Sequence, residues 1–153
     1  MERFQLEKIK SSAEEFFKKA CFEVELATEL SQGNTVSIKI KTDDPKVLIG
    51  QSGRTLAEVQ GLLKSILRKK LSEDFYLDLD VNDYKKKKIE YLKETAREAA
   101  DEVSLTGLQK TLPPMSSYER RIVHMELSAR AGIATESAGF DPDRRIIIKP
   151  SLT

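Results

Sequence analysis

A chain of 153 residues is long enough for one ordinary domain or two small ones, and 39% hydrophobic residues with only five prolines argue against disorder. Its 26 basic and 25 acidic residues leave a net charge of +1, which excludes a protein that holds polyanions by bulk charge; a nucleic-acid site would have to be a local patch. One cysteine, Cys21, and one histidine exclude an internal disulfide and a recognisable zinc set.

No apolar stretch approaches the roughly 20 residues that span a bilayer, so no membrane insertion is expected. The N-terminal MERFQLEKIKSS lacks the continuous apolar segment of a secretory signal. A reducing, cytoplasmic setting is the expectation.

In chain order, residues 2–19 have helical spacing of Phe4, Ile9, Ala13, Phe16 and Phe17. Val24, Leu26 and Thr28 then alternate with glutamates, and Val36, Ile38 and Ile40 alternate with Ser37, Lys39 and Lys41. The turn residues Ser31-Gln32-Gly33-Asn34 between them predict a hairpin with one face in the core and one in water. Its glutamate-rich exposed side would repel phosphate. Asp43-Asp44-Pro45 breaks the second strand and opens a short helix that ends at Gly50. After Gly53 a longer helix carries Leu56, Val59, Leu63, Ile66 and Leu67 on one stripe, broadened by Leu62. Leu77, Leu79 and Val81 alternate with Asp78, Asp80 and Asn82 as a third strand, completing the order α-β-β-α-α-β over residues 1–82.

Composition shifts at Asn82-Asp83, either of which could cap a new helix. That helix bears Ile89, Leu92, Ala96, Ala99 and Val103 and stops at Thr106-Gly107. Residues 109–112 suit a short strand before Pro113-Pro114. Ser116 stands three residues before Glu119, a capping-box signature that opens the helix SYERRIVHMELSAR, which Ala131-Gly132 ends. Residues 135–139 and 144–148 flank the turn Phe140-Asp141-Pro142-Asp143 and predict a closing hairpin. Four lysines, Lys85 to Lys88, oppose the dipole at a helix start; they are either a solvated face or a contact for RNA.

Two stretches carry chemistry. In VLIGQSGRTLAEVQ, Gly50 and Gly53 permit a sharp turn and leave a backbone that a sugar-phosphate chain can approach. The next helix begins there, so its free N–H groups favour an anion, with Arg54 and Thr55 adding a charge and a hydroxyl. Gly50-Gln51-Ser52-Gly53 is either a phosphate clamp or a tight helix–helix corner. In the second stretch, Arg120 and His124 stand four apart and share a helix face, flanked by Arg121 and Ser128. They are either a phosphate fork beside an imidazole donor, or a structural pair in which a partly buried histidine satisfies a backbone carbonyl. No nucleophile with an orienting carboxylate is identifiable around His124, so no catalytic site is expected.

The first stretch, in its α-β-β-α-α-β setting, resembles the type II KH domain. The resemblance implies single-stranded RNA or DNA lying in a groove lined by Ile49 and Leu56, with Gly50, Gln51, Ser52 and Gly53 clamping about four nucleotides of backbone. KH domains usually place Lys or Arg between the glycines, where this sequence has Gln51 and Ser52.

The wider string LPPMSSYERRIVHMEL resembles the R3H domain, named for an Arg and a His separated by three residues, here Arg120 and His124. GIATESAGFDPDRRIIIKP is similar to that family's closing hairpin. The family implies a small single-strand-binding domain, with Arg121, Arg144, Arg145 and Lys149 as auxiliary phosphate contacts.

A KH domain over residues 1–82 followed by an R3H domain over 83–153 resembles the bacterial Jag family of cytoplasmic RNA-binding proteins. Jag proteins often carry an additional N-terminal domain, which this sequence is expected to lack. The implied fold class is α+β, two small α/β sandwiches. The implied function is non-enzymatic binding of single-stranded RNA, with single-stranded DNA as a second ligand, in post-transcriptional regulation linked to cell envelope growth and division. No cofactor or metal is implied. The competing expectation is a protein-interaction or dimerisation module with weak single-stranded DNA or RNA binding, which forms a homodimer or pairs with a partner KH protein.

Overall fold

The computed structural model describes residues 3–152. Glu2, the expected first residue of the opening helix, lies outside the described residues, as does the side chain of Phe4. The chain divides into two compact units, Met1–Lys85 and Lys86–Thr153. No helix among the described residues is long and apolar enough to cross a membrane.

The first unit runs α1 (Arg3–Lys19), β1 (Glu25–Ser31), β2 (Thr35–Lys41), α2 (Pro45–Ile49), α3 (Arg54–Leu71) and β3 (Tyr76–Val81). The sheet has the order β1-β2-β3; β1 and β2 are antiparallel, and β3 lies parallel to β2 with Ile38 opposite Leu79. Period-two alternation sends Val36, Ile38, Ile40, Leu77, Leu79 and Val81 to one face, where Ile9, Ala13 and Phe17 of α1 and Leu56, Leu63 and Leu67 of α3 cover them. Each aliphatic side chain buried in this way stabilises the fold by about 1.5–3 kcal/mol.

Leu62 departs from the expected stripe: it is 54% exposed. The sheet already fills the stripe of Leu56, Leu63 and Leu67, and Leu62 points one residue off it. At the C-terminal end of α3, Lys70 reaches Glu15 of α1 at 3.3 Å. Hydrogen bonds from Lys19 and Lys70 hold the Glu15 carboxyl below its ordinary range. The edge strand β3 is partly closed by Gln60 of α3, whose Oε1 accepts the Leu79 N–H at 2.9 Å.

α4 (Tyr84–Thr106) begins where expected, but neither Asn82 nor Asp83 acts as its side-chain cap in the expected way. Both residues take positive φ, 49° and 57°. The Asn82 amide instead pairs with the main chain of Thr42, accepting its N–H at 3.0 Å and donating to its carbonyl at 2.9 Å. Asp80 supplies the missing acceptor, taking the Lys85 N–H at 3.2 Å, and Asp78 forms an ion pair with the Lys85 ammonium. Two carboxylates on the outer face of β3 therefore offset the lysines that oppose the helix dipole.

The second unit continues with α4, β4 (Lys110–Thr111), α5 (Ser117–Leu127), β5 (Ile133–Ala138) and β6 (Arg145–Pro150). Its sheet is antiparallel in the order β4-β6-β5, with Thr135 opposite Ile148 and Ser137 opposite Ile146. Ala96, Ala99, Ala100 and Val103 of α4, and Val123 and Leu127 of α5, pack with Ile133, Ile146 and Ile148. Glu126 of α5 accepts from Arg97 of α4 at 2.6 Å, and Glu119 meets Lys88 at 3.3 Å. The capping box is present in both directions, with Ser116 accepting from the Glu119 N–H and Glu119 accepting from the Ser116 N–H. α5 ends at Leu127, short of the expected Arg130; Ser128 turns its hydroxyl onto the Met125 carbonyl at 2.9 Å.

Gly61, inside α3, has no atom within 4 Å of an added Cβ. Gly61→Ala should raise stability by about 0.5–1 kcal/mol, since it only removes unfolded-chain freedom. Urea unfolding should show a higher midpoint at unchanged slope, and a lower midpoint would contradict this packing.

Candidate nucleic-acid interface

The Gly-x-x-Gly loop forms between two helices that the sheet holds in place. Gly50 ends α2 at φ 69°, ψ −171°, with its N–H donating to the Lys46 carbonyl at 2.9 Å. Residues Gln51–Gly53 make a single 3-10 turn, with Ser52 at φ 53° and Gly53 at φ 80°. Three of the four loop residues thus have positive φ, the condition under which glycine is favoured. Gln51 and Ser52 are exposed.

The glycines answer to neighbours within the protein. A Cβ on Gly50 would lie 2.1 Å from Thr55 Oγ1, and one on Gly53 would lie 3.1 Å from Tyr84 Cε1. A side chain at either position would run into Thr55 or Tyr84. Thr55 is half-buried, with its hydroxyl beside Gly50. Gly53, as the residue before α3, provides no side-chain cap, and the first-turn N–H groups of α3 gain no side-chain acceptor from it. Arg54 is exposed in that turn and makes no hydrogen bond or ion pair among the described residues. The loop thus offers helix N–H groups and one guanidinium, without charge at its tip.

In the second unit, the two residues of the Arg-x-x-x-His spacing lie in α5 but differ in burial. Arg120 is 8% exposed. Its Nη1 donates to the Met115 carbonyl at 2.7 Å and lies 3.5 Å from Asp141 Oδ1. A guanidinium so enclosed ties the chain entering α5 to the turn between β5 and β6. His124, one turn further on, is exposed. Its Nδ1 shares a 2.5 Å hydrogen bond with the Thr135 hydroxyl of β5, rather than satisfying a backbone carbonyl. Arg121 is exposed three residues before His124, on the adjoining part of the helix surface, and has no bonded partner among the described residues.

The auxiliary basic residues divide by strand parity. Arg144 directs Nε to Ser137 Oγ at 2.8 Å. Ser137 and Thr135 are two apart on β5 and so share a face, the one that also carries Ile146 and Ile148. That edge gathers His124 on Thr135 and Arg144 on Ser137. Arg145 and Lys149 alternate with the buried isoleucines and lie on the other face of the sheet, where Lys149 pairs with Glu136 and Arg145 Nε donates to the Asp143 carbonyl at 3.0 Å. Thr135 and Ser137 were not singled out from the sequence; their signal is a pair of hydroxyls spaced for one strand face beside a basic helix. Among the described residues no group of three or more His, Cys, Asp or Glu is placed to hold a metal ion.

Residues 90–150 match the R3H domain. The chain is 31% identical over 147 residues to the RNA-binding protein KhpB of Clostridium symbiosum, covering 93% of this chain and 66% of the relative. It is 32% identical over 114 residues to the RNA-binding protein KhpB of Streptococcus pneumoniae, covering 74% of this chain and 35% of the relative. The corresponding protein of Lactiplantibacillus plantarum is 34% identical over 112 residues, covering 73% and 35%. The chain therefore spans just under two thirds of the first relative and about a third of the other two. It carries an R3H domain in its second unit and is a homologue of bacterial RNA-binding KhpB proteins.

Proposed function

We propose that the chain is a non-enzymatic, cytoplasmic RNA-binding protein of the Jag family, with a type II KH domain over residues 1–82 and an R3H domain over residues 83–153. The observation that carries this reading is the exposed Arg121–His124 pair on α5, inside the residues that match the R3H domain. An Arg fork and an imidazole N–H suit the phosphate oxygens of a single strand, and the names of the relatives point the same way. The order α-β-β-α-α-β, with Gly50-Gln51-Ser52-Gly53 between α2 and α3, supports the KH assignment. Single-stranded RNA is the ligand, and post-transcriptional regulation the role.

Within this proposal each site residue has its own part. Backbone N–H groups around Gly50, Gln51, Ser52 and Gly53 and at the start of α3 receive a phosphate, with Arg54 beside them. Thr55 shapes the loop from within. Arg121, His124 and Arg144 contact the strand at the β5 edge, while Arg145 and Lys149 serve RNA only if it crosses to the other sheet face. Arg120 is a positioning residue. Two weak sites on one chain reinforce each other through effective concentration, which suits a protein with a net charge of +1.

Binding of short single-stranded RNA, single-stranded DNA and duplexes across a salt series tests the proposal. Arg121→Ala should flatten the logarithmic salt slope by about 0.7, the loss of one single-strand phosphate contact. Gln51→Asp combined with Ser52→Asp should weaken RNA binding through repulsion at the loop tip. Undiminished binding by both folded variants would remove the two-site proposal. Arg120→Ala should behave differently, lowering stability by about 2 kcal/mol because the Met115 carbonyl and Asp141 lose a charged partner. Arg121→Ala should change stability by no more than about 0.5 kcal/mol, and parallel urea titrations distinguish the two.

A further inference from the structure

Phe140, at the tip between β5 and β6, is 90% exposed. A lone exposed apolar side chain is ordinary on a protein surface. The backbone beneath this one is unusually well tied. The Asp143 N–H donates to the Phe140 carbonyl at 2.8 Å, closing the turn. Asp141, the next residue, lies 3.5 Å from the buried Arg120 guanidinium. Arg145 Nε holds the Asp143 carbonyl at 3.0 Å, and the Arg144 carbonyl accepts the Met115 N–H at 3.1 Å. These ties bind main chain and carboxylate, and none of them uses the ring. Each of these bonds restrains the turn, and a restrained loop loses less entropy on binding than a free one.

The charges around the ring specify what it would meet. Arg144 and Arg145 follow the turn directly, and each makes its side-chain hydrogen bond through Nε, so their terminal guanidinium nitrogens are available to phosphate. Asp141 and Asp143 are exposed carboxylates within the turn and repel a phosphate there. With Arg144 turned to the β5 edge and Arg145 to the other sheet face, the ring fits a nucleotide whose base lies on it and whose phosphate turns to Arg144.

We propose that Phe140 is a base-stacking platform, a binding site for an unpaired nucleobase of single-stranded RNA, held in place by Arg120 through Asp141. The proposal rests on the RNA-binding reading above and adds to it a contact with bases, where the other sites meet only backbone. Stacking is tolerant of base identity, so the platform contributes affinity more than sequence choice.

The chain contains no tryptophan, which makes Phe140→Trp a single-site fluorescent reporter. Short single-stranded RNA should quench the emission of the introduced indole, and abasic RNA of equal length should not. Phe140→Ala should weaken binding of RNA roughly fivefold to a hundredfold, the loss of one stacked base, and leave abasic RNA unaffected. Leu105→Ala, removing an exposed apolar side chain (87%) at the end of α4, should change neither. RNA binding by the wild-type chain, together with unquenched emission from Phe140→Trp and an unweakened Phe140→Ala variant, would overturn the platform alone. Equal weakening of intact and abasic RNA by Phe140→Ala would also overturn it. Failure of the wild-type chain to bind any RNA would overturn the RNA-binding reading and the platform with it.

Discussion

A guanidinium keeps its proton at any pH a protein meets, so an arginine taken out of water has to be given acceptors. In the second unit that demand organises the surface around α5. Arg120 finds the Met115 carbonyl on the chain entering the helix and the Asp141 carboxylate on the turn after β5. Two segments far apart in sequence are thereby fixed against one helix. Both contacts are made by one nitrogen, Nη1, so the two segments meet at a single point of the side chain. Of the exposed groups nearby, Phe140 stands next to the tied Asp141, and His124 takes its own partner, Thr135.

The first unit reaches a similar end through sterics. Thr55 occupies the space that a side chain at Gly50 would need, and Tyr84 crowds Gly53. The left-handed turn is imposed by packing from below and leaves its tip, Gln51 and Ser52, facing solvent without charge. Positive charge near the loop comes from the exposed Arg54 and from the N–H groups that open α3. Both units share this design: the residues that shape the surface differ from those that face outward.

Periodicity made the elements legible, because each strand and helix has one dry face and one wet one. Val36, Ile38 and Ile40 announce a strand, and Ala96, Ala99 and Val103 announce a helix, wherever they are placed in space. What periodicity could not supply is the identity of the partner. Leu62 looks like an extension of the apolar stripe until the sheet is seen to be filled by Leu56, Leu63 and Leu67. Asn82 looks like a helix cap, yet its amide goes to Thr42, 40 residues earlier, and Asp80 accepts the helix N–H in its place. Arg120 and His124 match a motif by spacing, but the burial of Arg120 is decided by Met115 and Asp141, contacts that spacing does not encode. The Gly-x-x-Gly loop was legible as a turn; that its glycines yield to Thr55 and Tyr84 was not.

The hydrogen bond from the Leu79 N–H to Gln60 bears on how copies of the chain could meet. An edge strand recruits another strand by offering unpaired amides at regular intervals, and each amide already engaged interrupts that template. A strand arriving at β3 would have to displace the Gln60 amide and leave it without its acceptor role, while gaining only the bond that was broken. Self-association by extending this sheet is therefore turned away from β3 and left to the β1 side, where Glu25 and Glu29 give any incoming strand a negatively charged neighbour.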